Sequence, residues 1–111
     1  MIYKFKPRKS FNVNLKRLGR LDSSIIDEVQ ESVQILLDGG QLPEEFDDHE
    51  LHGNLAGYRE FHLRDTPHGQ HPTDINDVLV IYKIEEDDLV LVAVNIGSHS
   101  KMFKGQFHNP K

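Results

Sequence analysis

Apolar residues recur along this chain with two different periods, and the change from one to the other divides it. Between residues 11 and 37 the spacing is helical: Phe11, Leu15 and Leu18, then Ile25 or Ile26, Val29, Val33 and Leu36 or Leu37. Steps of three and four place each set on one side of a helix. Ser10 is positioned to cap the first helix, Asp22, Ser23 or Ser24 the second, and Gly39-Gly40 stops the second. The link between them is so short that the two helices form a hairpin. Ahead of them Ile2, Lys4 and Lys6 alternate with Tyr3 and Phe5 in a short strand. Pro7, with no amide hydrogen for a ladder, ends it.

After residue 57 the period becomes that of strands. Tyr58 to Leu63 alternates, with Tyr58, Glu60 and His62 on one face and Arg59, Phe61 and Leu63 on the other. Val78 to Ile84 and Leu89 to Val94 are almost continuously apolar, which suits central strands covered by the helix pair. The acidic run at residues 85–88 between them reads as a hairpin tip. The predicted order is β-α-α-β-β-β, an α+β class. Two stretches lack a period: residues 41–57, a structured loop, and residues 64–77, a long excursion rich in Pro, Gly and Asp. The tail at 104–111 is expected to be flexible, leaving one domain over residues 1–111.

Composition narrows the function classes. At 37% the hydrophobic content is low for a globular chain, but it is concentrated in the periodic runs, so a folded domain with polar loops is expected. There is no cysteine, which excludes disulfides and thiolate metal sites. No run of about 18 apolar residues is present to span a membrane, and the expected location is the cytoplasm. The net charge of -5 conceals a segregation. Residues 1–20 hold seven basic side chains (Lys4, Lys6, Arg8, Lys9, Lys16, Arg17, Arg20) and no acid, whereas residues 21–90 hold all 18 acids. Such asymmetry gives one protein a phosphate-binding face and a separate acidic face, or simply a solvated basic helix.

Seven histidines in 111 residues is a high count. His49 precedes a strand, His62 lies on one, and His99 follows the last, so the three can converge at one edge of a small sheet. His52, His68, His71 and His108 carry less information. The order Asp48-His49-Glu50-Leu51, Gly53, Gly57-Tyr58-Arg59 with His62, then Asp77 before Ile81-Tyr82-Lys83-Ile84, then Asn95, Gly97, His99 and Phe103 resembles the YafQ branch of the RelE toxin superfamily. The match runs from about His49 to Phe103. The preceding strand and helix hairpin share the architecture without a specific motif.

That resemblance implies a RelE-like fold, a small and mostly antiparallel sheet packed against a two-helix hairpin. It also implies a toxin of a type II toxin–antitoxin system: a ribosome-dependent mRNA endoribonuclease that uses no metal or other cofactor. Such chemistry needs a base for the ribose 2′-hydroxyl, an acid for the leaving 5′ oxygen, and donors that stabilise the crowded phosphate. Histidine serves both proton roles because its reference pKa of about 6.5 populates either form near neutrality. The resemblance puts the active site on His49, His62, Asp77, His99 and Phe103. His99 is then the general acid, Asp77 or His62 the base, and His49 a support for the phosphate or for a neighbouring side chain. Phe103 packs beneath the site or stacks on a base. Arg59, Asn95, Lys4, Lys6, Lys16, Arg17 and Arg20 are the expected substrate contacts. Read without the resemblance, Asp77 opens its strand from a turn, Phe103 completes the core, and Arg59 faces either a carboxylate or a phosphate.

The chain departs from the family pattern at two places. Asn95 stands where the family has an arginine, and Val78 where an aromatic follows the aspartate. Asparagine donates a hydrogen bond but not the bidentate cationic fork that suits phosphate. Arg59 or Arg64 is the expected replacement, and a decayed site that only binds RNA, the ribosome or an antitoxin is the alternative. His62, His68 and His71, with Asp65 and Asp74, form a weaker zinc hypothesis. The implied partners are a cognate DinJ/RelB-like antitoxin, the ribosome and mRNA, with no membrane. The free chain is expected to be a monomer and its antitoxin complex a hetero-oligomer with an even number of toxin copies.

Overall fold

β1 (Lys4–Pro7) leads into α1 (Lys9–Leu21) and α2 (Ser24–Leu37), and the remainder is mainly sheet: β2 (His49–Glu50), β3 (Arg59–Arg64), β4 (Val78–Glu85) and β5 (Val90–Gly97), followed by the single-turn α3 (His99–Met102). The computed structural model describes residues 1–103; the tail at 104–111 lies outside the described residues. The strand order is β1-β5-β4-β3-β2, with β1 parallel to β5 and the other pairings antiparallel. This is the α+β arrangement expected, with one strand more. β2 falls inside the predicted loop and pairs His49 with Glu60 and Glu50 with Arg59. Two residues are too few to display an alternation.

The helix stripes bury as their spacing requires. Phe11 and Leu18 of α1 and Ile25, Val29, Val33, Leu36 and Leu37 of α2 pack on Phe61, Val80, Tyr82, Leu91, Ala93 and Ile96. Burying each such side chain contributes about 1.5–3 kcal/mol. α2 ends as its glycines predict. Gly39 takes φ +82°, and the amides of Gly39 and Gly40 donate to Leu36 O and Ile35 O, satisfying carbonyls the helix leaves open.

The start of α1 differs from expectation. Arg8 occupies the cap position, so Ser10 lies within the first turn, where its hydroxyl donates to Val94 O at 2.7 Å. The reason is the edge that β1 leaves behind. β1 stops at Pro7 opposite Ala93, and α1 takes over the outer edge of β5: Arg8 N donates to Ala93 O at 2.8 Å, Ser10 to Val94 O, and Asn14 Nδ2 to Asn95 Oδ1 at 2.7 Å.

Two irregularities redirect side chains on the sheet. β5 is shifted against β4 between Ile81 and Tyr82, with Ile81 opposite Asn95 and Tyr82 opposite Ala93. β3 is shifted against β4 between His62 and Arg64. Strict alternation would put Arg64 on the face of His62. The extra residue, Leu63, turns Arg64 to the helix side, as bulges do. There its guanidinium donates to Glu28 through two bonds of 2.8 and 2.7 Å, to Asp22 at 2.9 Å, and to Ser24 Oγ and Ile75 O. These charged bonds raise the Arg64 pKa, the Glu28 bonds most, and pin α2 and the excursion to β3.

The other face of the sheet carries a smaller apolar patch of Ile81, Val92, Val94 and Met102, with Leu51, Tyr58, Val90 and Phe103 packed on it. Lys4 and Lys6, in register with Val90 and Val92, project to this face. Phe5 between them meets Phe11 on the helix side.

Hydrogen bonds from Ser24 and then Arg64 hold the Asp22 carboxyl at about 2, below its ordinary 3.8. A depressed carboxylate contributes stability that is present above its unfolded value and lost as pH falls through the folded one. Stability should therefore drop as pH falls from 3.8 toward about 2. Urea unfolding at a series of pH values should show part of that slope missing in Asp22→Asn; an identical slope would contradict the assignment.

Candidate active site

The site forms where the head of β4, the end of β5 and the middle of β3 meet on the face away from the helices. Asp77, buried at 5% exposure, immediately precedes β4. Its Oδ2 accepts from the amide of His99 at 2.9 Å, and its Oδ1 lies 2.7 Å from His99 Nδ1. An ionised carboxylate only accepts, so Nδ1 carries a proton, and in the neutral ring Nε2 keeps its lone pair. Ser98 caps the short helix by accepting from Lys101 N, which holds His99 at the strand's exit. The His99 side chain is half exposed.

His62 sits next to it, with ring centroids 5.4 Å apart and planes at 70°. Its Nδ1 is 2.6 Å from Asp65 Oδ1, and its Nε2 faces Glu60 Oε2 at 3.5 Å and Asp47 Oδ2 at 3.7 Å. Burial disfavours the imidazolium, but the Asp65 hydrogen bond and the charges of Asp65, Glu60 and Asp47 outweigh it, so the His62 pKa is raised above 6.5. His49 completes the row, 6.3 Å from His62. Its Nδ1 donates to Asp47 O at 2.6 Å, and its Nε2 lies 3.3 Å from the same Glu60 oxygen. Glu60 is buried, and its other oxygen, Oε1, has no hydrogen-bond partner among the described residues. An orphaned buried acceptor costs about 1–3 kcal/mol.

The chain's similarity to known proteins can be placed on this geometry. Residues 3–104 match the profile of the bacterial toxin of type II toxin-antitoxin systems, YafQ. The chain belongs to the YafQ toxin family. No curated protein sequence matches it. Among solved structures, a metal-bound toxin from Helicobacter pylori is 30% identical, with a TM-score of 0.70 over 93% of this chain and 100% of that one. YafQ from E. coli strain BL21(DE3) is 22% identical, with a TM-score of 0.69 over 91% and 98%. The E. coli DinJ-YafQ toxin-antitoxin complex contributes a chain 22% identical, with a TM-score of 0.68 over 93% and 99%. These last two establish the fold alone.

In this YafQ-family toxin His49, His62, Asp77 and His99 come together, and Phe103 stands beside them, 6.3 Å from His99. Three expectations need correction. Asn95 is buried, and its side-chain oxygen accepts from Asn14 and from the amide of Ile96, so it fixes α1 to β5 and is not presented to substrate. Arg59 lies on the helix side of β3 with Asp48 at 3.3 Å and the Tyr82 hydroxyl at 3.2 Å; that hydroxyl in turn donates to Asp48. Arg64 is spent on α2, as described. Neither arginine replaces the missing cation.

The basic residues also separate. Lys4 and Lys6 share the histidines' face, whereas Lys16, Arg17 and Arg20 lie on α1 behind the sheet. Arg17 reaches Asp74 of the excursion at 3.3 Å, and Lys101 of α3 approaches the same carboxylate at 3.7 Å. The excursion folds on its own hydrogen bonds, Asn76 accepting from Thr66 and Thr73 and donating to His71 O. His68 and His71 are exposed and do not join His62 in a ligand set. Among the described residues the group suited to a metal is Glu60, His62 and His99, one donor atom from each lying within 4.8 Å of the others. Two imidazoles and a carboxylate suit a borderline ion such as zinc.

Glu60, Asp65 and Asp47 are the functional neighbours that the motif comparison missed. Glu60 had a signal, being two residues before His62 on the same predicted strand face. Asp65 and Asp47 reach His62 from loops without a period. A raised histidine pKa contributes stability that is complete below 6.5 and lost as pH rises through the folded value. Following the His62 ring proton by NMR should give a midpoint above 6.5 that falls in Asp65→Asn. An unmoved midpoint in that variant would contradict the pairing.

Proposed function

We propose that this toxin cuts messenger RNA on the ribosome by attack of a ribose 2′-hydroxyl on the adjacent phosphorus, with His62 and His99 moving the two protons. The observation that carries this reading is the pair itself, two imidazoles 5.4 Å apart in one cleft, one of them presenting an open Nε2. A phosphodiester lying against the free edges of both rings has its nucleophile and its leaving group each within reach of a proton carrier.

Asp77 is withdrawn from the role of base. Both its oxygens are engaged by His99, and its side chain is 7% exposed, so it acts by positioning. A base must also be unprotonated, and three carboxylates favour the charged form of His62. His62 therefore protonates the leaving 5′ oxygen and supplies positive charge beside the phosphate. His99 Nε2 takes the 2′ proton. This reverses the order in which His99 is the acid. His49 and Glu60 hold His62 in place, and Phe103 supports a base next to His99. A metal ion on Glu60, His62 and His99 would displace the proton that His62 delivers and occupy the lone pair of His99, so the proposed cleavage requires this group of three to be metal-free.

The E. coli relative forms a toxin-antitoxin complex with DinJ. On this reading a DinJ/RelB-like antitoxin holds the present toxin silent, and the freed toxin is a monomer. The burial of Asn95 favours the decayed-site reading, because among the described residues neither Arg59 nor Arg64 takes the place of the family's arginine. Against it stands the complete Asp77–His99 and His62–Asp65 geometry.

Induction in bacterial cells without antitoxin, with message 5′ ends mapped by primer extension, decides between them. New cuts within translated frames should appear, and His99→Ala should lower them by about 100-fold or more, the usual contribution of a proton-transfer group. Cuts that persist in His99→Ala, or wild-type toxin that makes none, would overturn the proposal.

A further inference from the structure

The cleft around the histidines is acidic. Asp47, Glu60, Asp65 and Asp77 line it, and Arg59, Arg64 and Asn95 bring it no positive charge. A polyanion that places one phosphate there must be held by cations elsewhere on the same face. A groove of about 500 Å³ provides them, lined by Lys6, Arg8, Lys9 and Lys83 with Glu85 as the sole acid. Lys83 shares its charge with Glu85 at 3.2 Å. Lys6, Arg8 and Lys9 have no carboxylate within ion-pair distance among the described residues, and all three are exposed.

The groove connects with the cleft through one ring. Tyr58 lies 5.9 Å from the Arg8 guanidinium and 5.6 Å from Lys83 Nζ, measured to the ring centroid. The same Tyr58 packs on the Ile81, Val92, Val94 and Met102 patch that also carries Phe103, the neighbour of His99. Cations gathered on an aromatic floor that runs to the reacting groups are the arrangement single-stranded nucleic acids use, phosphates on the cations and the chain across the apolar strip.

We infer that this groove binds the phosphates of the single-stranded RNA flanking the cut, with Tyr58 holding Arg8 and Lys83 in place. The inference rests on the proposed function and extends it, assigning the affinity for the polyanion to a surface outside the histidine cleft. It differs from the sequence expectation, in which Lys16, Arg17 and Arg20 of α1 take part.

The test uses the free toxin and a 2′-O-methyl RNA oligonucleotide, which cannot be cut, with binding followed by anisotropy over a range of salt. Each phosphate contact on a single strand contributes about 0.7 to the slope of log affinity against log salt. The Lys6→Ala, Arg8→Ala, Lys83→Ala triple variant should therefore flatten the slope by about 2, with antitoxin affinity unchanged. The Lys16→Ala, Arg17→Ala, Arg20→Ala variant should leave it nearly intact. A triple variant with Lys6→Arg, Arg8→Lys and Lys83→Arg should restore the slope, which excludes simple misfolding.

An unchanged slope in the first variant overturns the inference. So does RNA binding that survives while antitoxin affinity collapses, which would give the groove to an acidic protein segment. Because the oligonucleotide is never cleaved, this result is separable from the mapping of cuts. Cuts in cells with no groove-dependent slope would refute the groove alone, and groove-dependent binding with no cuts would refute the nuclease alone.

Discussion

One buried carboxylate accepts two hydrogen bonds from a single residue, and the site depends on it. Asp77 takes both the amide and Nδ1 of His99. The amide bond ties the entrance of β4 to the exit of β5, so the two longest strands of the sheet agree on where His99 stands. The ring bond selects the tautomer and directs Nε2 to the cleft. Without Asp77 the histidine would remain on a one-turn helix, free to rotate. With it, the imidazole is oriented, at the cost of burying a carboxylate whose side-chain hydrogen bonds, among the described residues, come from His99.

The second organising feature is an excess of acid around the histidines, where the proposed function would have an anionic substrate react. Glu60 lies between His49 and His62, and Asp65 and Asp47 approach His62 from loops. Clustered carboxylates keep an imidazole charged, which suits a proton donor, but they also repel phosphate. The fold separates the two requirements. The proton transfers of the proposed function fall to the histidines, while positive charge without a carboxylate partner among the described residues is concentrated at the junction of β1 and α1, on the same face of the sheet. The chain's departure at Asn95 is consistent with this division, because that position serves the contact between α1 and β5.

Much of the fold was legible in the sequence because burial writes a period into it. The stripes of α1 and α2 are the residues that pack, and β4 and β5 are buried on both faces, as their unbroken apolar runs imply. What was illegible depends on departures from period. β2 is too short to alternate. Arg64 faces α2 only because Leu63 is extra in β3, and no alternation rule anticipates a bulge. The site was legible to the extent that a family motif carries it: His49, His62, Asp77 and His99 were named from spacing within that resemblance and do converge. Glu60 belonged on the predicted face of His62 but lay outside the motif's expected roles. The seven basic residues of the first twenty read as one patch, yet the sheet runs between them, since a strand and a helix adjacent in sequence occupy opposite faces.

In the proposed reaction His62 and His99 divide the two proton transfers, His62 toward the leaving oxygen and His99 from the nucleophile. The most direct measurement is single-turnover cleavage of a ribosome-bound message in which sulfur replaces the bridging 5′ oxygen at the cut. Sulfur leaves without needing a proton, so a variant lacking only the acid should regain most of its rate. His62→Ala should be rescued by sulfur and His99→Ala should stay slow. Rescue of His99→Ala with no rescue of His62→Ala would contradict it.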